Sequence, residues 1–132
     1  MSTKFGTVSF SAHKKDYGSV FYEYEKWLTG MLNSTKTDII AIEGVNAGLK
    51  GSARYIITGL DCITHKIAYD RGVKRVSVSP SQVKKWLTGK GNADKAMMVE
   101  EVKKRGYNPT DDNQADAIAI MLLAKEIQNA TI

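Results

Sequence analysis

The sequence has few of the residues that form disulfide bonds or bind zinc. It has one cysteine, Cys62, so no disulfide can form within the chain. It contains no Cys-x-x-Cys pair, and its two histidines, His13 and His65, have no partner at metal-ligand spacing. The residues therefore give no support to a zinc site. The first ten residues also lack the apolar core of a secretory signal, and together with the lone cysteine this predicts a reducing cytoplasm.

Long apolar segments are missing as well. The longest uncharged apolar run, Ala117–Ala124, is much shorter than the ~20 residues of a membrane-spanning helix, so we expect no membrane span. The 132 residues, 42% hydrophobic and 25% charged, predict one globular domain over 1–132 and exclude a mainly disordered or fibrous chain. The net charge of +5 is compatible with a polyanionic partner, and the distribution of the charges must decide whether there is one.

Hydrophobic periodicity divides the chain into alternating strands and helices. Period-two or continuous apolar runs predict strands, and apolar residues at three- and four-residue steps predict helices. The alternation predicts an α/β layer fold with parallel pairing in part of the sheet. The same spacing predicts that Phe21, Tyr24, Trp27 and Cys62 pack in the core. The predicted strands are Gly6–Ser11, Asp38–Val45 and Val73–Val78, and the predicted helices are Tyr17–Leu32, Ser52–Arg71, Ser81–Leu87, Ala93–Arg105 and Asp112–Asn129.

Three carboxylates lie at positions where exposure to solvent does not by itself explain an acidic residue. Glu43 ends an apolar strand, and is either a salt-bridge or capping partner or, as we favour, a metal ligand at the carboxyl edge of the sheet. Asp112 and Asp116 share one helix face at i, i+4 spacing and repel each other. Helix capping explains Asp111 or Asp112 but not Asp116, which lies one turn further in. A divalent cation shared with Glu43 would relieve the repulsion, and an all-oxygen ligand set suits magnesium or manganese.

Basic residues concentrate around a glycine-bearing loop in the second half of the chain. Gly89 and Gly91 flank Lys90 and free the backbone for close approach to a phosphate. The loop lacks the spacing and the terminal Lys-Ser/Thr of a phosphate-binding P-loop, so we reject an NTPase of that type. A nucleic-acid-binding surface and a solvated basic face are equally supported. The basic residues are Lys84, Lys85, Lys90, Lys95, Lys103, Lys104 and Arg105.

Three segments then follow one another in a recognisable order. They are AIE at the end of a strand, VSPSQVKKWLTGKGNADK after the next strand, and DDNQADAIAI at the start of the final helix. Over about 6–124 the chain resembles the RuvC-type Holliday junction resolvases, in particular their small phage and prophage branch. The resemblance implies a ribonuclease H-like α/β fold with a mixed sheet flanked by helices. It also implies a homodimer that cuts four-way DNA junctions with Mg²⁺, or with Mn²⁺ as an alternative.

The resemblance also implies roles for single residues. Glu43 and Asp116 match two metal-binding carboxylates of the family. Asn113 stands where the family has an acidic residue or a histidine, and the neighbouring Asp112 is a substitute ligand. The implied catalytic residues are Glu43, Asp116, Asp112, Asn113 and Lys95, the implied metal ligands are Glu43, Asp116 and Asp112, and the implied DNA-binding residues are Lys84, Lys85, Lys90 and Lys95.

The N-terminal part of the sequence departs from the family pattern. Family members begin with a strand that carries a catalytic aspartate and continue with a second strand, whereas this sequence begins at what matches the third strand, Gly6–Ser11. We therefore expect the first two strands and the first catalytic aspartate to be missing. Since the first strand is central in the family's sheet, its absence predicts a gap between Val73–Val78 and the strands before it.

Three functions follow as hypotheses. The first is a metal-dependent, structure-selective endonuclease of branched DNA, acting as a phage or prophage protein in a bacterial cytoplasm. The second is a catalytically impaired junction-binding module, or truncated remnant of such a nuclease. The third is a basic structural domain whose acids only cap helices. For the first, the helix Ser52–Arg71 resembles the family's dimer-forming element, with Ile57 and Cys62 or Tyr69 at the interface.

Overall fold

Helices and strands alternate up to residue 78, as the periodicity predicts, and three consecutive helices follow. The computed structural model describes residues 8–10, 16–44 and 48–130. None of the described helices is both long and apolar enough to cross a lipid bilayer. The elements are α1 (Tyr17–Ser34), β1 (Ile39–Glu43), α2 (Gly51–Arg71), β2 (Lys74–Val78), α3 (Pro80–Thr88), α4 (Lys95–Lys104) and α5 (Asp112–Ala130).

The described residues form two compact units. The N-terminal unit contains residues 9–10, 16–40 and 48–76, and includes α1 and α2. The C-terminal unit contains residues 8, 41–44 and 77–130, and includes α3, α4 and α5.

The helix ends follow local sequence signals. Gly72 ends α2 in the left-handed conformation, with φ 65°, which glycine adopts without steric cost. Pro80 occupies the first turn of α3. Ser79 caps that helix, because its hydroxyl accepts a hydrogen bond from the Gln82 N–H (3.1 Å) while the Gln82 side chain accepts one from the Ser79 N–H (3.4 Å). The predicted stop and start at these two places are confirmed.

The sheet in the described part of the chain consists of β1 paired with β2. The Lys74 N–H donates to the Asp38 carbonyl at the start of both strands, and the Gly44 N–H donates to the Val78 carbonyl (2.8 Å) at the end of both, so the strands are parallel. The prediction of a gap between the Val73–Val78 segment and the strands before it is wrong for β1, because β1 pairs directly with β2. The 21-residue helix α2 supplies the long crossover that adjacent parallel strands need.

The prediction of a strand at Gly6–Ser11 is also wrong for the part of this segment that the structure describes. Val8–Phe10 form no strand, and the rest of the predicted segment lies outside the described residues. The Phe10 ring instead meets the rings of Tyr24 and Trp27 edge-on, at centroid distances of 5.8 and 5.9 Å. Side-chain packing on α1 thus holds this segment in place of the backbone ladder that the period-two pattern predicts.

The C-terminal unit has a core between its three helices and the end of β2. Ala115 and Ala119 of α5 and Val102 of α4 have no exposed surface, so these helices pack closely. The core consists of Val78, Val83, Leu87, Ala93, Met98, Val102, Ala115, Ile118, Ala119, Ile120 and Leu123.

The N-terminal unit is held by the packing of α1 on α2. A Cβ atom at Gly59 would lie 2.5 Å from the Phe21 ring, so only glycine allows the ring to lie this close to α2. The buried Thr64 hydroxyl donates to the Leu60 carbonyl (2.8 Å), and therefore accepts the hydrogen bond from the Tyr24 hydroxyl (2.6 Å). This pair satisfies a buried hydroxyl between the two helices.

Two residues that we predict in the core are exposed. Trp27 keeps 37% of its surface accessible, whereas Phe21 and Tyr24 are half-buried. Cys62 is exposed because it lies about 200° around α2 from Thr64, which is on the buried face of the helix. The apolar stripe of α2 is therefore wider than the face that α1 covers.

Candidate active site

Glu43 is the last residue of β1, at the carboxyl edge of the sheet. The hydrogen bond from the Gly44 N–H to Val78 fixes the backbone directly after it. The residue is exposed rather than buried, although the apolar residues before it predict burial. The apolar side chains of β1 are themselves only half-buried, so the residue keeps much of its surface accessible and is buried only in part.

Asp116 lies one turn into α5, on the border between the buried and exposed faces of that helix. Ala115 and Ala119 are buried on one side of it, and Ala117 is exposed on the other. The carboxylate itself is half-buried. The packing of α5 therefore fixes this carboxylate at the edge of the buried face.

Glu43 and Asp116 act on each other electrostatically. Partial burial raises the pKa of Glu43, the negative charge of Asp116 raises it further, and the nearby Lys84 opposes both effects. Partial burial also raises the pKa of Asp116, together with the charge of Asp112, while Lys84 and Lys95 oppose the shift. Asp116 thus lies within electrostatic range of Asp112, Lys84 and Lys95, and Glu43 lies within range of Asp116 and Lys84.

Lys95 and Asp112 form an ion pair across two helices. The Lys95 Nζ atom lies 3.3 Å from Asp112 Oδ2. Lys95 is the first residue of α4, and Asp94 caps this helix by accepting a hydrogen bond from the Met97 N–H (2.9 Å). The helix start predicted at Ala93 is therefore two residues early, and the Asp94 cap is not predicted. The preference of aspartate for the N-cap position was the available signal.

Capping explains one of the three acids of the DDNQAD segment. The Asp111 carboxylate accepts a hydrogen bond from the Gln114 N–H (2.8 Å), and the Gln114 side-chain oxygen accepts one from the Thr110 N–H (2.9 Å). Asp112 is half-buried and pairs with Lys95 instead. Asn113 is exposed, and no hydrogen bond among the described residues joins its side chain to the carboxylates. Its role as a ligand stays a prediction.

The remaining predicted DNA-binding lysines lie on α3 and the loop after it. Lys84 is half-buried and lies near both carboxylates, whereas Lys85 is exposed. Lys90 is exposed in a loop that is closed by the Thr88 hydroxyl, which accepts from the Lys90 N–H (3.1 Å). The exposed ammonium groups of Lys85 and Lys90 are thus available to an anionic partner.

The carboxylates of this site can supply part of the coordination shell of one divalent cation, but they do not form a complete set of protein ligands. Among the residues that the structure describes, no three His, Cys, Asp or Glu side chains form a group that could hold a metal ion. Glu43 and Asp116 nevertheless offer two mutually repelling carboxylates. Mg²⁺ is often held by one or two carboxylates together with waters and substrate phosphates, so this pair suits it.

The raised pKa values predict how stability depends on pH without metal. Both carboxyl groups titrate above their ordinary values of 4.5 and 3.8 in the folded chain, so the folded state binds more protons than the unfolded state in that range. Stability therefore falls as pH rises from the ordinary values through the raised ones, and stays reduced above them. We expect Asp116→Asn to raise the melting temperature at neutral pH in EDTA, and to have no such effect below about pH 3.8.

Asp111→Asn is the control for this measurement, because asparagine caps a helix as well as aspartate does. Its melting temperature should stay within about a degree of the parent at both pH values. A lower melting temperature for Asp116→Asn at neutral pH would contradict the assignment of a repulsive carboxylate pair.

Comparison with known proteins identifies the relatives of this chain. The family described as crossover junction endodeoxyribonuclease RuvC matches residues 12–124. The RuvC protein of Gloeobacter violaceus is 32% identical over 121 residues, which cover 89% of this chain and 69% of that protein. The RuvC protein of Prochlorococcus marinus subsp. pastoris is 30% identical, and the match covers 89% of this chain and 75% of that protein.

Solved structures show the same relationship at the level of fold. The structure of Thermus thermophilus RuvC is similar with a TM-score of 0.71 at 20% identity, over 83% of this chain and 68% of that one. Thermus thermophilus RuvC in complex with a Holliday junction substrate is similar with a TM-score of 0.69 at 17% identity, over the same shares of the two chains. The predicted ribonuclease H-like α/β fold is thereby confirmed. With a family match over most of its length and a relative at 32% identity, this chain belongs to the RuvC family of crossover junction endodeoxyribonucleases.

Proposed function

We propose that this protein is a structure-selective endonuclease that hydrolyses phosphodiester bonds in branched DNA with the help of Mg²⁺. The observation that carries the proposal is the pair Glu43 and Asp116, flanked by Lys84 and Lys95, in a chain of the RuvC family. A relative of this fold has been solved with a Holliday junction substrate, and we transfer that substrate class to this chain. We place the activity in the cytoplasm of a bacterial host, as that of a phage or prophage protein.

The roles of the residues follow from their charges and positions. Glu43 and Asp116 would hold the ion, and Asp112 or Asn113 would assist once a substrate displaces the contact between Asp112 and Lys95. The chemistry such an ion supplies is Lewis-acid stabilisation of the phosphate and a more acidic bound water. Lys84 lies near both carboxylates, and its fixed charge would orient the scissile phosphate and stabilise the negative charge that develops on it.

The basic residues around the site extend the contact to the rest of the substrate. Lys95 would exchange the Asp112 carboxylate for a phosphate, and the exposed Lys85 and Lys90 would bind backbone phosphates further away. Such contacts fix the position of the DNA without reading its sequence. Selectivity for branched DNA would then come from the shape of the substrate.

A cleavage assay on a synthetic four-way junction tests this function directly. With Mg²⁺ or Mn²⁺ we expect paired, symmetric nicks, and with EDTA none. A linear duplex of the same sequence serves as the control and should stay intact. Nicking of junction and duplex at equal rates would exclude the proposed structure selectivity.

A second candidate function, junction binding without cleavage, is favoured by two observations. The described residues hold no group of three metal-ligating side chains, and Asp112 is paired with Lys95. Salt-sensitive junction binding without any nicks, at every divalent-ion concentration tried, would support this alternative over the nuclease.

We also propose that the protein acts as a homodimer through one face of α2. Five exposed residues recur on this helix at alternating steps of three and four, which is the spacing of a helix-packing seam. Two large aromatic residues of the stripe are 59% and 90% exposed, although such surface is usually covered. The stripe consists of Tyr55, Thr58, Cys62, His65 and Tyr69.

The lone cysteine tests the dimer. Cys62 lies near the middle of α2, where two helices related by a two-fold axis would bring the sulfur atoms together. We expect a mild oxidant to convert most of the protein into a covalent dimer, seen on a non-reducing gel. Cys62→Ser should give none, and neither should Ser34→Cys in that background, because Ser34 is exposed at the end of α1. A monomeric mass by light scattering, with no covalent dimer, would exclude this interface.

A further inference from the structure

The C-terminal unit has a surface cavity that Lys95 and Asp112 line at one end, and that extends to residues with no role proposed above. Its volume is about 480 Å³, and it lies along α4 with the first residue of α5 at one end. Asp112 lines it and lies one helical turn before Asp116 on α5, so this end of the cavity is near Asp116. Its lining consists of Lys95, Ala96, Val99, Glu100, Lys103 and Asp112.

The charges in the cavity leave one cation without an anionic partner. Asp112 is paired with Lys95 (3.3 Å), and Glu100 is paired with Lys104 (3.7 Å), which lies outside the cavity. Lys103 has no ion pair or side-chain hydrogen bond with any residue of the described part of the chain. Of the two lysines that line the cavity, Lys103 is therefore the one whose ammonium group is available to an external anion.

The spacing along α4 suits an extended anion rather than a small one. Lys95, Val99 and Lys103 follow each other at four-residue steps, so they lie on one face of the helix. The two lysines are eight residues apart, which is about 12 Å along the helix axis at ~1.5 Å per residue. A DNA strand has one phosphate per ~3.4 Å of its axis, so two phosphates of one strand can meet the two lysines. Ala96 and Val99 between them present a low apolar surface that a deoxyribose can contact.

We propose that Lys103 is a DNA-positioning residue, and that this cavity receives the backbone of a junction arm a few nucleotides away from the cleaved bond. The inference rests on the proposed function, because it requires that the scissile phosphate lies at Glu43 and Asp116. It adds a phosphate contact to the predicted set of Lys84, Lys85, Lys90 and Lys95. Since the contact is to phosphate, it strengthens binding to every arm sequence alike.

The test is the salt dependence of junction affinity for Lys103→Ala beside a matched control. The logarithm of the binding constant falls linearly with the logarithm of salt concentration, and the slope has a magnitude of about 0.9 for each phosphate that the protein neutralises. We expect Lys103→Ala to reduce this magnitude by about 0.9 and to weaken binding about three- to tenfold near 0.15 M salt. Lys103→Arg should restore both values. The probe is a fluorescent four-way junction in Ca²⁺, which allows binding without the expected cleavage.

Lys104→Ala is the control, because Lys104 follows directly in sequence but is already paired with Glu100 and Glu101. It removes the same charge and should change the slope by less than about 0.3. Equal slopes for Lys103→Ala and Lys104→Ala, with a parent that binds junctions, would overturn the inference and leave the proposed function standing. A parent that binds no junction would overturn both. Lys103 is exposed, and equal melting temperatures would show that the variants fold alike.

Discussion

Asp116→Asn is expected to reduce the rate of junction cleavage by about 10³-fold, and Glu43→Gln to do the same. Each substitution keeps the size of the side chain and removes the negative charge through which the pair would hold a divalent ion. Loss of a single preorganised electrostatic group commonly costs about 10²- to 10³-fold in rate, and a metal ligand belongs at the upper end of that range. Single-turnover assays with excess protein measure the effect on the chemical step alone.

Junction binding should survive these two substitutions, and this separates a catalytic role from a structural one. Removing an acid next to a polyanion favours association, so the dissociation constant should be equal to or lower than that of the parent. Asp111→Asn, five residues before Asp116 in the same segment, retains the cap of α5 and should cleave at the parent rate. If Asp116→Asn cleaves within tenfold of the parent, Asp116 does not hold the ion.

Lys84→Met is expected to reduce the rate at saturating protein by about 10²-fold. Lys84 is the only lysine that lowers the pKa of both Glu43 and Asp116 among the described groups with a resolved shift, so its charge lies close to both. Its removal deprives the scissile phosphate of a fixed positive charge. The pKa values of both carboxyl groups should then rise further, so the acid limb of the pH–rate profile should move to higher pH.

Lys85→Met is the matched control for this experiment. Lys85 is the next residue but is exposed, and we assign it to phosphate binding away from the carboxylates. Its loss should weaken junction affinity, whereas the single-turnover rate at saturation and the pH profile should stay as in the parent. If Lys84→Met and Lys85→Met behave alike, Lys84 is only one more phosphate contact.

The sequence predicts the helices well, because local signals determine them. The three- and four-residue apolar steps of Tyr17–Leu32 and Ser52–Arg71 match α1 and α2 to within two residues. Gly72 and Pro80 mark a helix end and a helix start that the structure contains. The position of Asp116 at the edge of a buried face also follows from its alanine and isoleucine neighbours. In each case the determining residues lie within one helical turn.

Features that depend on distant segments could not be predicted in this way. Cys62 lies in an apolar stripe, but which part of the stripe α1 covers depends on the close approach at Gly59. Asp112 has the spacing of a metal ligand, but it pairs with Lys95, which begins the preceding helix and lies more than four helical turns away in sequence. Periodicity gives the faces of a helix and does not give its neighbours.

The two fully buried alanines beside Asp116 restrict how this protein can change over evolutionary time. Any larger side chain at Ala115 or Ala119 would push α5 away from the rest of the core, and with it the carboxylate. A metal ligand tolerates displacements of only about 0.5 Å, so such a change would need a compensating reduction at a core neighbour such as Val102. The exposed lysines carry no such restriction. Surface substitutions can therefore alter contacts to DNA phosphates in a lineage of this protein, while the packing of one helix keeps the proposed metal site in place.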